Sequence, residues 1–266
     1  MLYVVATPIG NLDEITFRAV DVLNKVDYIL CEDTRTSKVL LNKYNIKTKC
    51  VSYHKFNENF KIESVVSDLK NGKDIALISD AGMPCVSDPG NLLINALIKE
   101  DLKYTVVSGA CATINAFVLS GFDAPFTFVG FLPEKNTLKN NLLKEVSSYK
   151  STLIFYVSPH NLTDTFNILS KTLGDRPCAI VREISKMFEE VTFSTLNQGF
   201  LGTLKGEFVL VVKGNENKKN PMCELSIEEH LKHYINQGLT KNEAIKKVCE
   251  DRKLKKNEVY KIAINL

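Results

Sequence analysis

The stretch from residue 74 to residue 90, DIALISDAGMPCVSDPG, constrains the fold of this chain more than any other. Residues 75–78 form a continuous apolar run without alternation, which is typical of a strand covered on both faces in a parallel α/β sheet. Ligands bind where such strands end. A plain strand-to-helix turn would also collect turn residues around Gly82. It would not require Asp80 and Asp88, so we predict a buried strand that delivers a functional loop.

Strand and helix patterns alternate along the first half of the chain, which predicts a mainly parallel sheet with helices on its faces. The five strands are expected at 3–6, 27–31, 51–53, 75–78 and 104–107. The turn SGFDAP at 120–125 indicates a boundary. We therefore predict an N-terminal α/β domain at 1–122, a second α/β domain at 123–214 and, after a polar linker at 214–221, a basic helical module at 222–266.

The second half carries five more strand patterns, at 126–130, 151–156, 178–183, 190–194 and 207–213, with helices expected at 137–148 and 161–173. The last two strands are predicted to pair with each other in antiparallel fashion, because only a short helix-like piece near 196–200 separates them. Three short helices follow, at 226–236, 240–252 and 256–264. Ser226 with Glu229 and Thr240 with Glu243 each fit a capping box.

Composition places the chain among globular proteins of the cytoplasm. Its seven cysteines lie at least 19 residues apart, with no CxxC pair and no Cys/His cluster, which argues against a zinc site and favours a reducing compartment. Residues 104–122 are uncharged but contain Ser, Gly, Thr and Asn, so we interpret them as strand, loop and buried helix and predict no membrane span. The net charge of +3 is uneven: residues 213–266 hold 12 Lys or Arg against 8 Asp or Glu, which gives +4 there and −1 elsewhere.

Four motifs in order resemble one known family. They are LYVVATPIGNLDEITFRAVDVL at 2–23, CEDTRTSKVLL at 31–41, SDAGMPCVSDPG at 79–90 and FYVSPHNL at 155–162. The chain is thereby similar to the ribosomal-RNA-modifying branch of the tetrapyrrole methylases. The resemblance implies two α/β domains of the class III methyltransferase type with S-adenosyl-L-methionine between them. It also implies a homodimer that methylates the ribose 2′-hydroxyl of a decoding-region cytidine in the 16S rRNA of the small ribosomal subunit.

Residues 7–11 hold one glycine and lack the G-x-G-x-x-G fingerprint, which disfavours a dinucleotide site. The cofactor loops are therefore expected from the resemblance instead. Family members hold the cofactor by main-chain groups of several loops. At 108–111 this chain has Ser-Gly-Ala-Cys where relatives have a proline-glycine-proline-serine turn, so a plain turn remains an alternative there. The residues expected to bind the cofactor are Pro8, Gly10, Asp80, Ala81, Gly82, Met83, Ser108, Gly109, Ala110, Ala112 and Tyr156.

Methyl transfer to a hydroxyl needs a group that positions the oxygen and accepts its proton. We favour Asp88 for this role, although an Asp before Pro89 could simply cap the next helix. Arg35 would suit a phosphate or carboxylate, or could pair with a neighbouring acid. The same two interpretations, a ligand contact or a local ion pair, apply to Glu183 at the end of a second-domain strand. The other candidates are Glu32, Asp33, Glu189, Glu190, His54 and His160.

The basic tail suggests an RNA surface, with Lys246, Lys253 and Lys256 as the expected phosphate contacts. A solvated helix face is the alternative for such a run of charge. Two other functions stay open at this point. One is methylation of a tetrapyrrole or other small molecule on the same fold, and the other is a non-catalytic RNA-binding protein on a methylase scaffold.

Overall fold

A computed structural model describes residues 1–216, 221–223, 225–252 and 254–264 of the chain. The chain divides into two compact units, Met1–Gly214 and Asn215–Leu266. The first unit contains two five-stranded sheets, and the second consists of short helices.

The first sheet is entirely parallel, as predicted. Its strands are β1 (Leu2–Val5), β2 (Tyr28–Cys31), β3 (Cys50–Ser52), β4 (Ile75–Ile78) and β5 (Tyr104–Val107), in the order β3-β2-β4-β1-β5. The helices between and after them are α1 (Phe17–Lys25), α2 (Thr34–Lys43), α3 (Glu58–Lys70), α4 (Asn91–Lys99) and α5 (Ala112–Ser120). The α1 helix begins at Phe17 because the Thr16 side chain, at the N-cap position, accepts a hydrogen bond from the Ala19 backbone N–H.

The apolar run of β4 is explained by its central position. Ile75 and Leu77 enter the core on one face of the sheet, while Ala76 and Ile78 enter the core on the other. All four residues are buried. A strand covered on both faces has no polar side to show in sequence, and this confirms the expectation for residues 75–78.

The second sheet is mixed, and here one prediction is wrong. Its strands are β6 (Phe126–Phe131), β7 (Thr152–Val157), β8 (Pro177–Arg182), β9 (Glu190–Thr195) and β10 (Phe208–Val212), in the order β6-β7-β10-β8-β9. The predicted β9–β10 hairpin is replaced by two other pairings: β9 lies antiparallel to β8, and β10 lies between β7 and β8, antiparallel to both. Helices α6 (Asn136–Val146) and α7 (Leu162–Leu173) complete this half.

The reason for the different pairing is the composition of β10. Its five residues, FVLVV, are all buried, with Phe208, Leu210 and Val212 in one core cluster and Val209 and Val211 in the other. Such a strand belongs in the centre of a sheet, where both faces are covered, and not at the end of a hairpin. The sequence signal is the same as that of β4.

The proposed division at residue 122 stays a prediction, and α5 explains why residues 1–214 form one compact unit. This helix follows the last strand of the first sheet but packs on β8 and β10 of the second. Ala116 is fully buried there. The chain therefore interlocks its two sheets through a helix that sequence order assigns to the first.

Among its described residues, the second unit has three α-helices around a small core of its own: α8 (Ile227–Asn236), α9 (Lys241–Arg252) and α10 (Lys256–Ala263). Both predicted capping boxes are present. Ser226 and Glu229 exchange hydrogen bonds at the start of α8, and Thr240 and Glu243 do so before α9. Across the part of the chain that the structure describes, no helix is long and apolar enough to cross a membrane.

Candidate active site

The loop after β4 is tied to the loop after β1, because neighbouring parallel strands end at the same edge of the sheet. The Thr7 backbone N–H donates to the Gly82 carbonyl at 2.9 Å, and the Gly82 N–H donates to the Thr7 carbonyl at 3.1 Å. Gly82 has φ of +79°, and a Cβ built there would lie 3.1 Å from Ile9 Cγ2. Glycine is therefore required both by the backbone conformation and by the close approach of Ile9.

A cavity of about 410 Å³ opens beside this pair of loops, between the ends of the two sheets. The first half of the chain contributes residues of the β1, β4 and β5 loops, and the second half contributes the ends of β6, β7 and β8 and the start of β10. The lining residues are Ile9, Asp80, Ala81, Gly82, Met83, Val86, Ser87, Asp88, Cys111, Ala112, Phe131, Tyr156, Val157, Ser158, Pro159, Ile184, Gly206, Glu207, Phe208 and Val209.

The cavity brings together part of the set of residues expected from sequence. Asp88 and six of the expected cofactor residues lie in its wall: Asp80, Ala81, Gly82, Met83, Ala112 and Tyr156. Among the described residues, the wall leaves out Pro8, Gly10, Ser108, Gly109, Ala110, Arg35 and Glu183. Of the segments that follow β1 and β5, the wall contains Ile9, Cys111 and Ala112.

Three of the omitted loop residues, Pro8, Gly10 and Gly109, lie in other surroundings. Pro8 lines a separate cavity of about 220 Å³ between β1, β4 and α2. A Cβ on Gly10 would lie 2.8 Å from the Ile184 carbonyl, and a Cβ on Gly109 would lie 2.9 Å from the Ala6 Cβ. Both glycines therefore allow close packing of backbone segments behind the cavity wall.

Asp88 is half-buried in the cavity wall, and its surroundings shift the pKa of its carboxyl. Burial raises the pKa of the Asp88 carboxyl, the Ser79 hydroxyl lowers it, and the charge of Asp80 raises it again, with a net rise. The capping alternative is not what the structure has: Gly90, with φ of +133°, holds the N-cap position of α4. Asp88 therefore faces the cavity as a carboxylate that holds a proton more readily than an exposed one.

Glu32 belongs to the same acidic neighbourhood. Burial raises the pKa of Glu32, and the charges of Asp88 and Asp80 raise it further, while His54 and Lys55 oppose them. The Asp33 backbone N–H donates to Asp80 Oδ1 at 3.1 Å, which ties the end of β2 to the β4 loop. Within the described residues, no group of three or more His, Cys, Asp or Glu side chains is arranged to hold a metal ion.

Glu183 is committed to a structural contact. Its Oε1 accepts hydrogen bonds from the Glu207 backbone N–H and from Lys186 Nζ, both at 2.9 Å. Burial would raise the pKa of Glu183, but these hydrogen bonds outweigh it and the pKa is lowered. The carboxylate thus joins the segment after β8 to the segment before β10, which forms the cavity wall at Gly206 and Glu207.

Arg35 makes the local ion pair that the sequence left open as an alternative. Its Nη2 lies 2.7 Å from Asp33 Oδ2, and its side chain is 89% exposed. The geometry supports a role in ordering the start of α2, where the Asp33 side chain also accepts from the Arg35 backbone N–H.

Sequence reasoning missed most of the wall supplied by the second sheet. Phe131, Ile184 and Val209 are apolar residues of ordinary strand ends. Ser158 and Pro159 lie in FYVSPHNL, a motif that could have pointed to them. A second, polar groove of about 880 Å³ shares Phe131, Tyr156, Val157 and Ser158 with the cavity and runs between α6 and α7, past Lys139 and Lys171.

This arrangement, with cofactor-sized space between a parallel and a mixed sheet, is matched by known proteins. Residues 1–198 match the family model described as Tetrapyrrole (Corrin/Porphyrin) Methylases. The chain belongs to this family. Among solved structures, diphthine synthase shares the fold with a TM-score of 0.64 at 11% identity, covering 80% of this chain and 89% of that chain. Uroporphyrin-III-C-methyltransferase from Thermus thermophilus has a TM-score of 0.56 at 18% identity, covering 80% and 93%.

Curated relatives of this family member extend over nearly the whole chain. Ribosomal RNA small subunit methyltransferase I of Halalkalibacterium halodurans is 44% identical over 98% of this chain and 93% of the relative. The Bacillus subtilis protein of the same name is 41% identical over 98% and 92%. The Synechocystis protein of that name is 36% identical over 100% and 98%. The likeness therefore includes the helical unit beyond the family model.

Proposed function

We propose that this chain is an S-adenosyl-L-methionine-dependent methyltransferase of small-subunit ribosomal RNA. We further propose that it methylates the 2′-hydroxyl of a decoding-region cytidine in 16S rRNA, in the cytoplasm. The observation that carries the proposal is the 410 Å³ cavity with Asp88 in its wall, in a chain whose near-full-length relatives are named as rRNA methyltransferases.

The donor set of the cavity suits this cofactor. Its volume falls within the range of about 300 to 1,000 Å³ that small-molecule sites usually have. Apolar side chains such as Ile9, Val86 and Val209 can cover an adenine ring, while the three carboxylates of Asp80, Asp88 and Glu207 favour a cationic ligand. S-adenosyl-L-methionine, when bound, supplies a methyl group activated on a positively charged sulfur.

Asp88 is our candidate for the group that accepts the proton of the ribose hydroxyl. The rise in its pKa makes the carboxylate a better base than a fully exposed one. Tyr156, whose hydroxyl lies 2.8 Å from Thr113 Oγ1, holds the opposite wall in place. The chain thereby orients the acceptor oxygen and excludes water from one side of it.

The polar groove between α6 and α7 is the proposed path of the RNA strand toward the cavity, since both share the wall from Tyr156 to Ser158. Lys246 and Lys256 are exposed on α9 and α10 and are proposed to contact RNA phosphates. Lys253, the third lysine of that expectation, lies outside the described residues.

We also propose that the protein acts as a homodimer. The α5 sequence ATINAFVLS is apolar on nearly all sides, and Ile114 and Val118 are 45% and 70% exposed. On the neighbouring edge strand β5, Tyr104 and Val106 are also exposed. Light scattering of the purified protein tests this, and a Val118→Asp variant should be monomeric if this face is the interface.

The test of the function is a parallel transfer assay. Radiolabelled S-adenosyl-L-methionine is incubated with undermethylated 30S subunits, free 16S rRNA and tetrapyrrole precursors, and nucleosides of the product are separated. Label in 2′-O-methylcytidine supports the proposal. Label in a tetrapyrrole would replace it with small-molecule methylation, and no cofactor binding at millimolar concentration would indicate a non-catalytic RNA-binding protein.

A further inference from the structure

Two phenylalanines beside the active site have almost no protein around them. Phe56 and Phe60 lie in the segment HKFNENFK at 54–61, which follows β3, and they are 77% and 86% exposed. Phe60 stands in the first turn of α3, a helix whose buried residues are Val65, Val66 and Leu69. Neither ring therefore contributes to the core of the first sheet.

The segment presents these rings from a fixed turn. The backbone N–H groups of Asn57 and Glu58 both donate to the His54 carbonyl at 2.9 Å, and the Asn57 side chain accepts from the His54 N–H at 2.9 Å. Lys61 Nζ donates to the Ser52 carbonyl at 2.5 Å and fastens α3 to the end of β3. A preorganised surface loses little conformational entropy when a ligand binds to it.

The turn lies at the same edge of the sheet as the acidic loops. The Tyr53 N–H donates to the Cys31 carbonyl at 2.7 Å, which places the segment next to Glu32. His54 and Lys55 act on the charge of Glu32 together with Asp88 and Asp80, so these groups share one neighbourhood. The segment that carries the rings thus leaves the sheet at the same edge as the loop that carries the candidate base.

The side chains that face outward from this segment are aromatic and cationic. Lys55 Nζ lies 5.0 Å from the centroid of the Phe56 ring, and the His54 ring meets Phe56 edge-on at 6.0 Å. Glu58 has its Oε2 buried, on the inner side of the segment. Exposed aromatic rings interleaved with cations are the combination by which proteins bind unpaired nucleotides, through base stacking and phosphate contact.

We propose that Phe56 and Phe60, together with Lys55, form a stacking surface for unpaired bases of the RNA that flank the nucleotide in the active site. The inference rests on the proposed function and adds a binding site to it. Stacking that tolerates any base would keep the flanking nucleotides unpaired at the edge of the cavity. Asp88 could then accept the proton of one ribose hydroxyl. The occupant is single-stranded RNA, because a base fits a flat exposed ring and a lysine fits its phosphate.

The test compares four variants of the full-length protein. The double variant Phe56→Ala/Phe60→Ala should raise the Kd for a labelled unstructured RNA oligomer by about tenfold or more, as expected for loss of stacked bases. KM for undermethylated 30S subunits should rise, while kcat at saturation and the Kd for S-adenosyl-L-methionine stay unchanged. Changing both residues to Leu should weaken binding nearly as much as Ala, and changing both to Tyr should restore it. Phe193→Ala, at a 63% exposed ring on β9, is the matched control and should bind as the unaltered protein does.

Salt dependence separates the two parts of the surface. The ring variants should leave the slope of log Kd against log salt unchanged, because they remove no charge, whereas Lys55→Ala should flatten it by about 0.7. Binding of the Leu variant equal to that of the unaltered protein would overturn the stacking proposal. A change of oligomeric state in the Ala variant would also overturn it and assign the rings to a protein contact. Should the unaltered protein transfer no methyl group to RNA, the proposed function fails independently of these rings.

Discussion

The two sheets of residues 1–214 contribute to one cavity in different ways. The parallel sheet provides both cavity aspartates, Asp80 and Asp88, from a single loop at the carboxyl end of its central strand. The mixed sheet provides a largely apolar wall, including Phe131, Ile184 and Val209. Its one carboxylate in the wall, Glu207, lies 3.2 Å from Lys186 Nζ, and Glu183, outside the wall, pairs with the same lysine. The parallel edge thus places two aspartates in the wall, and the mixed sheet supplies much of its apolar surface.

The largest effect that tests this division is expected at Asp88. Asp88→Asn should lower kcat for 30S methylation by about 10² to 10⁴, the usual contribution of a general base, with little change in cofactor affinity. Glu183→Gln is the matched change in the mixed sheet. It should lower the Tm because it weakens the bond to Lys186, and leave kcat within about threefold. A greater loss of rate in Glu183→Gln than in Asp88→Asn would instead assign the catalytic carboxylate to the mixed sheet.

The next effect concerns Gly82 and its counterpart Gly174, which share nearly the same φ of +79° and +80°. Alanine at either position should cost on the order of 1 to 3 kcal/mol of backbone strain. At Gly82 the new Cβ would also press on Ile9 in the cavity wall, so kcat/KM for S-adenosyl-L-methionine should fall by about tenfold or more. Gly174 has open space around it, and its variant should keep the cofactor kinetics of the unaltered protein. Equal kinetics in the two variants would mean that the cofactor does not contact the β4 loop.

A smaller effect is expected in the helical unit. Changing Lys246, Lys253 and Lys256 together to Ala should flatten the salt dependence of 30S binding by up to about three in the log–log slope and leave cofactor binding intact. Lys25 and Lys70 provide a control pair, because each is already ion-paired, with Asp21 and Glu100. Unaltered salt dependence in the triple variant would leave RNA binding to the first unit. Arg252 is not a suitable target, since its Nη2 donates to the carbonyls of Met222, Leu225 and Ser226 at the start of α8.

The smallest effect is a shift in pH dependence. If ionised Asp88 accepts the proton, kcat falls as pH drops through the raised pKa of this carboxyl. The Ser79 hydroxyl lowers that pKa, so Ser79→Ala should move the acid limb of the kcat profile to higher pH. A limb that stays in place, with cofactor affinity unchanged, would exclude Asp88 as the titrating base.

Structural features that are determined by residues close together in the sequence could be predicted, and features that depend on residues far apart in the sequence could not. The β4 strand and the capping boxes at Ser226 and Thr240 depend on neighbouring residues, and those expectations are confirmed. The β9–β10 pairing was wrong because strand order is decided by burial across the whole sheet. The β10 run FVLVV carried that information only as an apolar stretch.

The cavity wall was harder to predict for the same reason. Ile9 and Val209 are 200 residues apart in sequence, and they meet only because α5 joins the two sheets. Apolar residues at strand ends also look alike whether or not they face a ligand. The exposure of Phe56 and Phe60 was likewise invisible, because their spacing fits an ordinary helix start as well as a surface patch.

The most direct test of the central claim is a crystal structure of the protein with S-adenosylhomocysteine, the cofactor product. We expect the ligand in the 410 Å³ cavity, with its sulfur closer to the carboxylate of Asp88 than to that of Glu183 and its adenine against the apolar wall around Val209. A ligand seated in the groove past Lys139 and Lys171, or a sulfur directed at Glu183, would contradict the account.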